Sequence, residues 1–440
     1  MAYLQQALFL LVVALAVYML SRRIRFIKTS IKLGKPESRS DNKYTRLKNM
    51  LLVAFGQKKM FKKPIAAILH LFVYVGFILI NIEVLEIIID GVAGTHRIFA
   101  PYLGSFYTFL INFFEFLAVT VLLSCVIFLI RRNIIRVPRF HKAEMTSWPL
   151  LDANLILISE ILLVLAILNM NAADQVLQAR GAEHYIDSGH LFFSSFFIPV
   201  FEGLSVSTLI VLERIFWWFH IIGIFSFAIY VTFSKHLHIF LAFPNTYFAS
   251  LKSRGEITNM DSVTNEVKMM LGLMPTDQQP PPDEVGRFGA KDVNDLSWKS
   301  IMDAFTCTEC GRCTAECPAN QTGKKLSPRK IMMDTRDRAE EITRSIMSGG
   351  KGLEDGKTLL DDYVLREELN ACTTCNACVE ACPVMIDPLA IIIDLRRYIV
   401  MEESGSPSEW NAMFQNIETS FAPWKFAPSD RFKWADELKN

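Results

Sequence analysis

Eight of the nine cysteines in this chain fall into two copies of one spacing: Cys307-Thr-Glu-Cys310-Gly-Arg-Cys313-Thr-Ala-Glu-Cys317-Pro318 and Cys372-Thr-Thr-Cys375-Asn-Ala-Cys378-Val-Glu-Ala-Cys382-Pro383. Each reads C-x2-C-x2-C-x3-C-P. Three thiolates on one tight turn can grip three irons of a cubane cluster while the fourth cysteine reaches elsewhere, and where two such runs occur the fourth cysteine serves the other cluster. The expected ligand sets are therefore crossed. One [4Fe-4S] cluster takes Cys307, Cys310, Cys313 and Cys382, and the other takes Cys372, Cys375, Cys378 and Cys317. The alternatives are a structural zinc site, for which paired C-x2-C knuckles are usual, and a disulfide framework, which a reducing compartment disfavours. Two complete runs, each closed by proline, favour the clusters.

The rest of the chain must be built around this unit and a membrane. At 440 residues and 51% hydrophobic, it is too long for one ordinary domain and too apolar for a wholly soluble protein. The apolar weight lies before Pro244. Net charge of +1 gives no sign of nucleic-acid binding. Roughly 20 apolar residues cross the hydrocarbon layer, and stretches at about 4–20, 65–89, 105–130, 150–170 and 207–234 qualify. The first is the shortest. It has no basic region before it and is followed by Ser21-Arg22-Arg23-Ile24-Arg25, so it reads as a retained helix, not a cleaved signal. Lys and Arg crowd the loop after the first stretch and the loop after the third, including Arg131, Arg132, Arg136, Arg139 and Lys142, whereas the other loops carry little beyond Arg97 and Arg180. The positive-inside rule then puts the N-terminus outside and both cysteine runs in the cytoplasm.

Past Pro244 the composition turns polar. A helix is expected near 259–272, then a spacer at Pro275 and Pro280-Pro281-Pro282. This divides the chain into a transmembrane unit at 1–245, a cytoplasmic linker at 246–294, a dicluster domain at 295–400 and an aromatic tail at 401–440. The insert between the two runs is mostly helical, which favours an α-helical cluster domain over a small β-rich one. The tail carries Trp410, Trp424 and Trp434 among charged residues, too aromatic for a disordered end.

Histidines within the apolar stretches are the next functional candidates. His70 lies about six residues into the second, roughly 9 Å deep. His220 and His238 are eighteen residues apart and, on one continuous helix, share a face about 27 Å apart. Neutral imidazoles inside a membrane are rare and usually functional, so His70, His220 and His238 are candidate haem ligands, the alternative being hydrogen-bonded packing residues. His236 would point about 160° away from His238 on that helix. His96, His141, His184 and His190 fall in loops and read as solvated. Glu83, Glu86, Glu115 and the Glu213-Arg214 pair collect in the outer half of the spans, where charges are costly unless paired or lining a cavity. Glu83, Glu115 and Arg214 are candidates for quinone or propionate contacts, the alternative being a ring of snorkelling side chains.

These features carry a resemblance. Residues 1–250, with five spans and His220…Ser234-Lys235-His236-Leu237-His238-Ile239-Phe240, resemble the haem-b membrane subunits of respiratory nitrate reductase and of methanogen-type heterodisulfide reductase. Residues 295–400, with Cys382-Pro383-Val384 and Asp394-Leu395-Arg396-Arg397, resemble the dicluster subunit of heterodisulfide reductase. The resemblance implies an all-α chain, a five-helix transmembrane haem-binding bundle followed by a cytoplasmic α-helical dicluster [4Fe-4S] ferredoxin domain. In the nitrate reductase subunit two histidines of the second helix face two of the fifth. His70, His220 and His238 match three of these, and Ile80 stands at the fourth. No CCG motif occurs in this chain, and the tail around Asn416 and Ala422-Pro423-Trp424 is similar to a segment leading into a CCG part in fused relatives, so the resemblance implies a separate CCG-type, heterodisulfide-reductase-B-like partner. It implies a quinone-linked oxidoreductase subunit of the bacterial cell membrane carrying two [4Fe-4S] clusters and one or two haems b. The rival readings are a redox sensor or scaffold without turnover, and a transporter with an accessory ferredoxin domain.

Overall fold

The computed structural model describes residues 2–273 and 287–438. The spacer expected at Pro275 and Pro280-Pro281-Pro282 lies outside them. Among the described residues there are helices and turns but no strands, only the isolated bridges Lys35–Ser297 and Leu360–Val364.

Among the described residues, five helices are long and apolar enough to cross a membrane: α1 (Ala2–Ile31), α2 (Pro64–Ala93), α3 (Ser105–Asn133), α4 (Trp148–Ala179) and α5 (Val206–Val231). Their ends follow local chemistry. Pro64 opens α2 at a position where no backbone N–H is needed, and Gly94 ends it in the left-handed region at φ 71°. Ser205 opens α5 by accepting a hydrogen bond from Thr208 N. Large apolar side chains such as Leu11 and Leu15 on α1, Leu85 on α2, Phe109 on α3, Leu162 on α4 and Ile215 and Phe219 on α5 stay exposed, which in a helix apolar all round marks a lipid-facing surface. Phe9, Val84, Ile167, Trp217 and Ile221 fill the space between helices.

Two expectations about these spans fail. The first stretch is not short: α1 runs unbroken to Ile31 and carries Arg22, Arg23, Arg25 and Lys28 with it. Arg and Lys are good helix formers, and the extension is anchored. Arg23 donates to Thr232 O at 3.1 Å, pairs with Glu340 at 2.6 Å and stacks over the rings of Phe26 and Phe233, while Ser30 meets Thr343 at 2.8 Å.

The fifth helix does not continue to His238. It ends at Val231, Ser234 turns extended and accepts from His236 N, and a new helix, α6 (His238–Tyr247), starts at His238. Asp152 on α4 accepts Lys235 N at 3.3 Å and fixes the break. Pro244 sits inside α6. The eighteen-residue phase between His220 and His238 is therefore not carried by one helix, and His236 does not point away from His238. The rings of His236 and His238 lie edge to face, 5.3 Å apart.

Beyond α7 (Asp261–Met270), the cysteine runs are held by α8 (Trp298–Thr306), α9 (Pro328–Met347) and α10 (Pro388–Met401). Ile301, Phe305, Ile331, Ile342, Ile391 and Leu395 form the core of this domain, each at most 3% exposed; burying such a side chain contributes about 1.5–3 kcal/mol. The domain is packed directly on one end of the bundle. Lys35 N donates to Leu296 O and Trp298 N to Lys35 O, an approach so close that a Cβ on Gly34 would meet Trp298 N at 2.5 Å. Asn245 on α6 donates to Asp303 and to Val384 O, so the change in composition near residue 245 is not a gap in packing. A further helix, α11 (Ser408–Ser420), and the turns and short helices after it leave Phe421, Trp424, Phe426, Phe432 and Trp434 well exposed.

Candidate functional site

The two runs fold alike. In each, the third and fifth positions take left-handed backbone: Glu309 and Gly311 in the first, Thr374 and Asn376 in the second. Glycine and asparagine tolerate this conformation best. The paired turns wrap each loop around a recess, after which a short helix, Arg312–Ala315 or Ala377–Ala381, leads to the fourth cysteine. That fourth cysteine faces the other loop. Cys307, Cys310, Cys313 and Cys382 line one recess; Cys317, Cys372, Cys375 and Cys378 line another. Each recess thus gathers three cysteines of one run and the fourth of the other.

The donor chemistry fits a cluster in each recess. All eight thiols are free, and no group of three or more His, Cys, Asp or Glu among the described residues closes tightly enough for a single metal ion. Two backbone amides point at sulfur, Thr374 N to Cys372 and Ile386 N to Cys382 at 3.4 and 3.3 Å, a contact that tunes cluster potential. Burial pushes the Cys307 and Cys382 thiols up to about 12. These two thiols therefore hold their protons at neutral pH, and binding iron must displace them.

The first recess faces the bundle. Glu309, 4% exposed, accepts from Lys235 at 2.6 Å and Arg336 at 2.8 Å. Its burial opposes charge, but Arg336 and Lys235 outweigh this and hold its carboxyl below the usual range. Arg329, fully buried, joins Glu144 at 2.7 Å and donates to Arg139 O, linking this loop to the segment between α3 and α4. Lys62 and Arg254 both engage Glu380 in the second run.

Directly beside this end lie His70 and His238, their ring centroids 6.3 Å apart. With bonds of ~2 Å from a metal to each imidazole, His70 and His238 would be the residues to hold an iron-bearing group between them. His70 Nδ1 bonds Gln57 Oε1 at 3.1 Å and His238 Nδ1 bonds Lys235 O at 3.1 Å. Carbonyl acceptors at Nδ1 put the proton there and leave Nε2 bare, the arrangement that orients a metal-binding imidazole. His220, buried on α5, does the same with Leu163 O at 3.0 Å. It sits one helix away from His238, so the structure brings His70 and His238 together and leaves His220 apart.

The polar residues at the far end of the bundle are mostly committed to structure. Glu115 accepts from Asn171, from Phe193 N and Ser194 N, and from the Ser194 hydroxyl, so both its oxygens cap the segment before α5. Arg214 is held by Glu213 at 2.5 Å and lies over Trp217, and Tyr185 also donates to Glu213. Glu115 thus has both oxygens bonded, while Arg214 keeps 31% of its side chain exposed. Glu83 is buried one turn before Glu86 and within electrostatic reach of Arg97, Glu115 and Glu86. The hub is Arg97, read from sequence as a loop charge. It is 7% exposed and contacts Asp174 at 2.6 Å, Asn171 at 2.8 Å and Tyr107 at 3.3 Å. His96, also read as solvated, is half-buried against Asp174 and Tyr185. Gln57 and Glu309 were missed because their partners are distant in sequence, although Glu309 inside a cysteine run was a visible oddity.

Residues 306–386 match the 4Fe-4S dicluster domain family. The chain is similar to the probable iron-sulfur-binding oxidoreductase FadF of Bacillus subtilis, 30% identical over 98% of this chain and 60% of the relative. It is also similar to the EtfAB:quinone oxidoreductase of Syntrophomonas wolfei, 26% identical over 91% of this chain and 55% of the relative. Over 23% of this chain and 49% of the relative it is 33% identical to a subunit of the ferredoxin/F(420)H(2)-dependent CoB-CoM heterodisulfide reductase of Methanosarcina acetivorans. The chain spans little more than half the length of the first two relatives. No solved structure matches. The molecule is a membrane protein with five apolar helices and a C-terminal dicluster iron–sulfur domain.

Proposed function

We propose that this chain is the membrane electron-transfer subunit of an oxidoreductase, passing electrons between a soluble partner and the quinone pool through two [4Fe-4S] clusters and haem b. The observation that carries this reading is the adjacency of a four-cysteine recess to the facing His70–His238 pair at one end of an apolar bundle. When bound, the clusters and haem supply one-electron transfer, and the protein's part is to position them and set their potentials.

The chain's own residues perform that part. The crossed cysteines hold the two loops in one body, Gln57 and Lys235 O orient the imidazoles, and the Lys235–Glu309–Arg336 contacts fix the first loop against the bundle. Buried Glu83, beside the Arg97 hub, is the candidate for proton exchange with a quinone at the far end. The name of the Syntrophomonas relative supports the quinone assignment. The likeness of residues in this chain to a heterodisulfide reductase component supports a CCG-type partner, docked on the exposed aromatic tail. The basic residues of α1's extension and of the segments before α2 and α4 lie at the dicluster end, which by the positive-inside rule is cytoplasmic, the N-terminus being outside.

The test is optical. Protein purified without oxygen should show a haem-b band whose reduced absorption changes when a quinol or quinone is added. A band that never responds would leave a non-turnover redox sensor as the better reading.

A further inference from the structure

The two loops share one backbone but not one electrostatic setting. Arg312 occupies the place in the first run that Ala377 occupies in the second. Its side chain is 5% exposed, lines the recess of Cys307, Cys310, Cys313 and Cys382, and lies within electrostatic reach of His70. Arg139 and Lys59 stand close enough to act on Cys310 and Cys382. Among the described residues none of these three cations forms an ion pair with a carboxylate. The acid at this recess, Glu309, is already neutralised by Lys235 and Arg336, and Arg329 by Glu144. Around the other recess the charges cancel: Asp387 acts on Cys378 and Arg396 on Cys372, and the remaining lining is largely apolar, with Pro318, Leu326, Leu389 and Ile392.

Building on the two-cluster reading above, we infer that the iron–sulfur group held by Cys307, Cys310, Cys313 and Cys382 is the more easily reduced of the two, and that Arg312 sets the difference. Reduction adds one negative charge to the recess that receives the electron. Unpaired cations in a poorly solvated setting favour that charge far more than they would in water. Surrounding charge and burial are the levers by which a protein sets such potentials. The electron released at the second recess is the electron gained at the first, with no bond or proton exchanged. The second recess reaches solvent at exposed Cys375, while the first abuts the bundle. The gradient therefore favours electron entry from a soluble donor and delivery toward the membrane.

The experiment is an EPR-monitored redox titration of the intact protein, reduced by dithionite under argon. Two midpoints are expected, separated by more than the 59 mV that shifts a one-electron partition tenfold. Cys375→Ser should alter the signal of the lower one. Arg312→Gln should lower only the higher midpoint, and Ala377→Arg should raise only the lower. The inference is overturned if both clusters are present with coincident midpoints, or if Arg312→Gln moves the lower one or neither. Should Arg312→Gln fail to assemble, Arg139→Gln and Ala377→Arg decide by the same criterion. Absence of any [4Fe-4S] signal would instead refute the cofactor reading itself.

Discussion

Replacing Glu309 with alanine should loosen the first cysteine loop from the bundle by an amount the structure lets one work out. Glu309 is 4% exposed and bridges Lys235 at 2.6 Å and Arg336 at 2.8 Å. Removing one partner of a buried ion pair costs ~3–5 kcal/mol because the other charge is stranded. Here the stranded cations keep secondary partners, Lys235 with Asp152 at 3.7 Å and Arg336 with Asp337 at 3.1 Å. The cost should thus fall at the low end, ~3 kcal/mol, which is on the order of a hundredfold in a local opening equilibrium. Hydrogen exchange of the amides around residues 306–316, measured on protein in lipid nanodiscs, reads that equilibrium directly. A double-mutant cycle with Lys235→Met should return a coupling within ~0.5–3 kcal/mol. Exchange that rises less than threefold in the single variant, with no coupling in the cycle, would refute the claim that this contact fixes the loop to the bundle.

Three further outcomes follow from other contacts. His238→Ala should abolish the haem-b absorption, while His236→Ala should keep it, because His238 and not His236 has its Nδ1 proton anchored on a carbonyl and faces His70 at 6.3 Å; loss of haem only in the His236 variant would reverse the assignment. Burial works against the Glu144 carboxylate, but the Ser327 hydroxyl and the Arg329 guanidinium outweigh it and hold its pKa below the ordinary 4.5. The stability this adds is present above pH 4.5 and lost as the pH falls through the lower folded value, so thermal stability should drop more steeply below pH 4.5 in the native protein than in Glu144→Gln. Truncation after residue 405 should leave both clusters and haem in place but release a copurifying CCG-type protein, since Trp424, Phe426 and Trp434 are exposed apolar surface; retention of that protein would disprove docking on the tail.

How far the sequence could be read depended on whether the signal was local. The cysteine spacing is local, and Cys317 lies with the second run and Cys382 with the first. Apolar length is local too, and it located the five spans to within a few residues at most ends. The reading failed where distant contacts overrode local propensity. α1 continues to Ile31 because Glu340 and Thr343, more than 300 positions away, hold it. α5 stops at Val231 because Asp152 captures Lys235 N, a contact no helical period announces. Arg97 seemed a solvated loop charge because its partners Asp174 and Asn171 belong to another span. Glu115 is buried with both oxygens bonded and Arg214 is part-exposed and paired with Glu213, partners that the sequence does not announce.

The most direct test of the account is a Mössbauer spectrum of 57Fe-labelled protein, purified without oxygen and compared with Cys317→Ser and Cys382→Ser. The crossed grouping predicts two [4Fe-4S] clusters, ~8 non-haem irons. Cys317→Ser should perturb the same cluster as Cys375→Ser, and Cys382→Ser the same one as Cys310→Ser. Zinc in place of iron, or Cys317→Ser perturbing the cluster that Cys310→Ser perturbs, would contradict it.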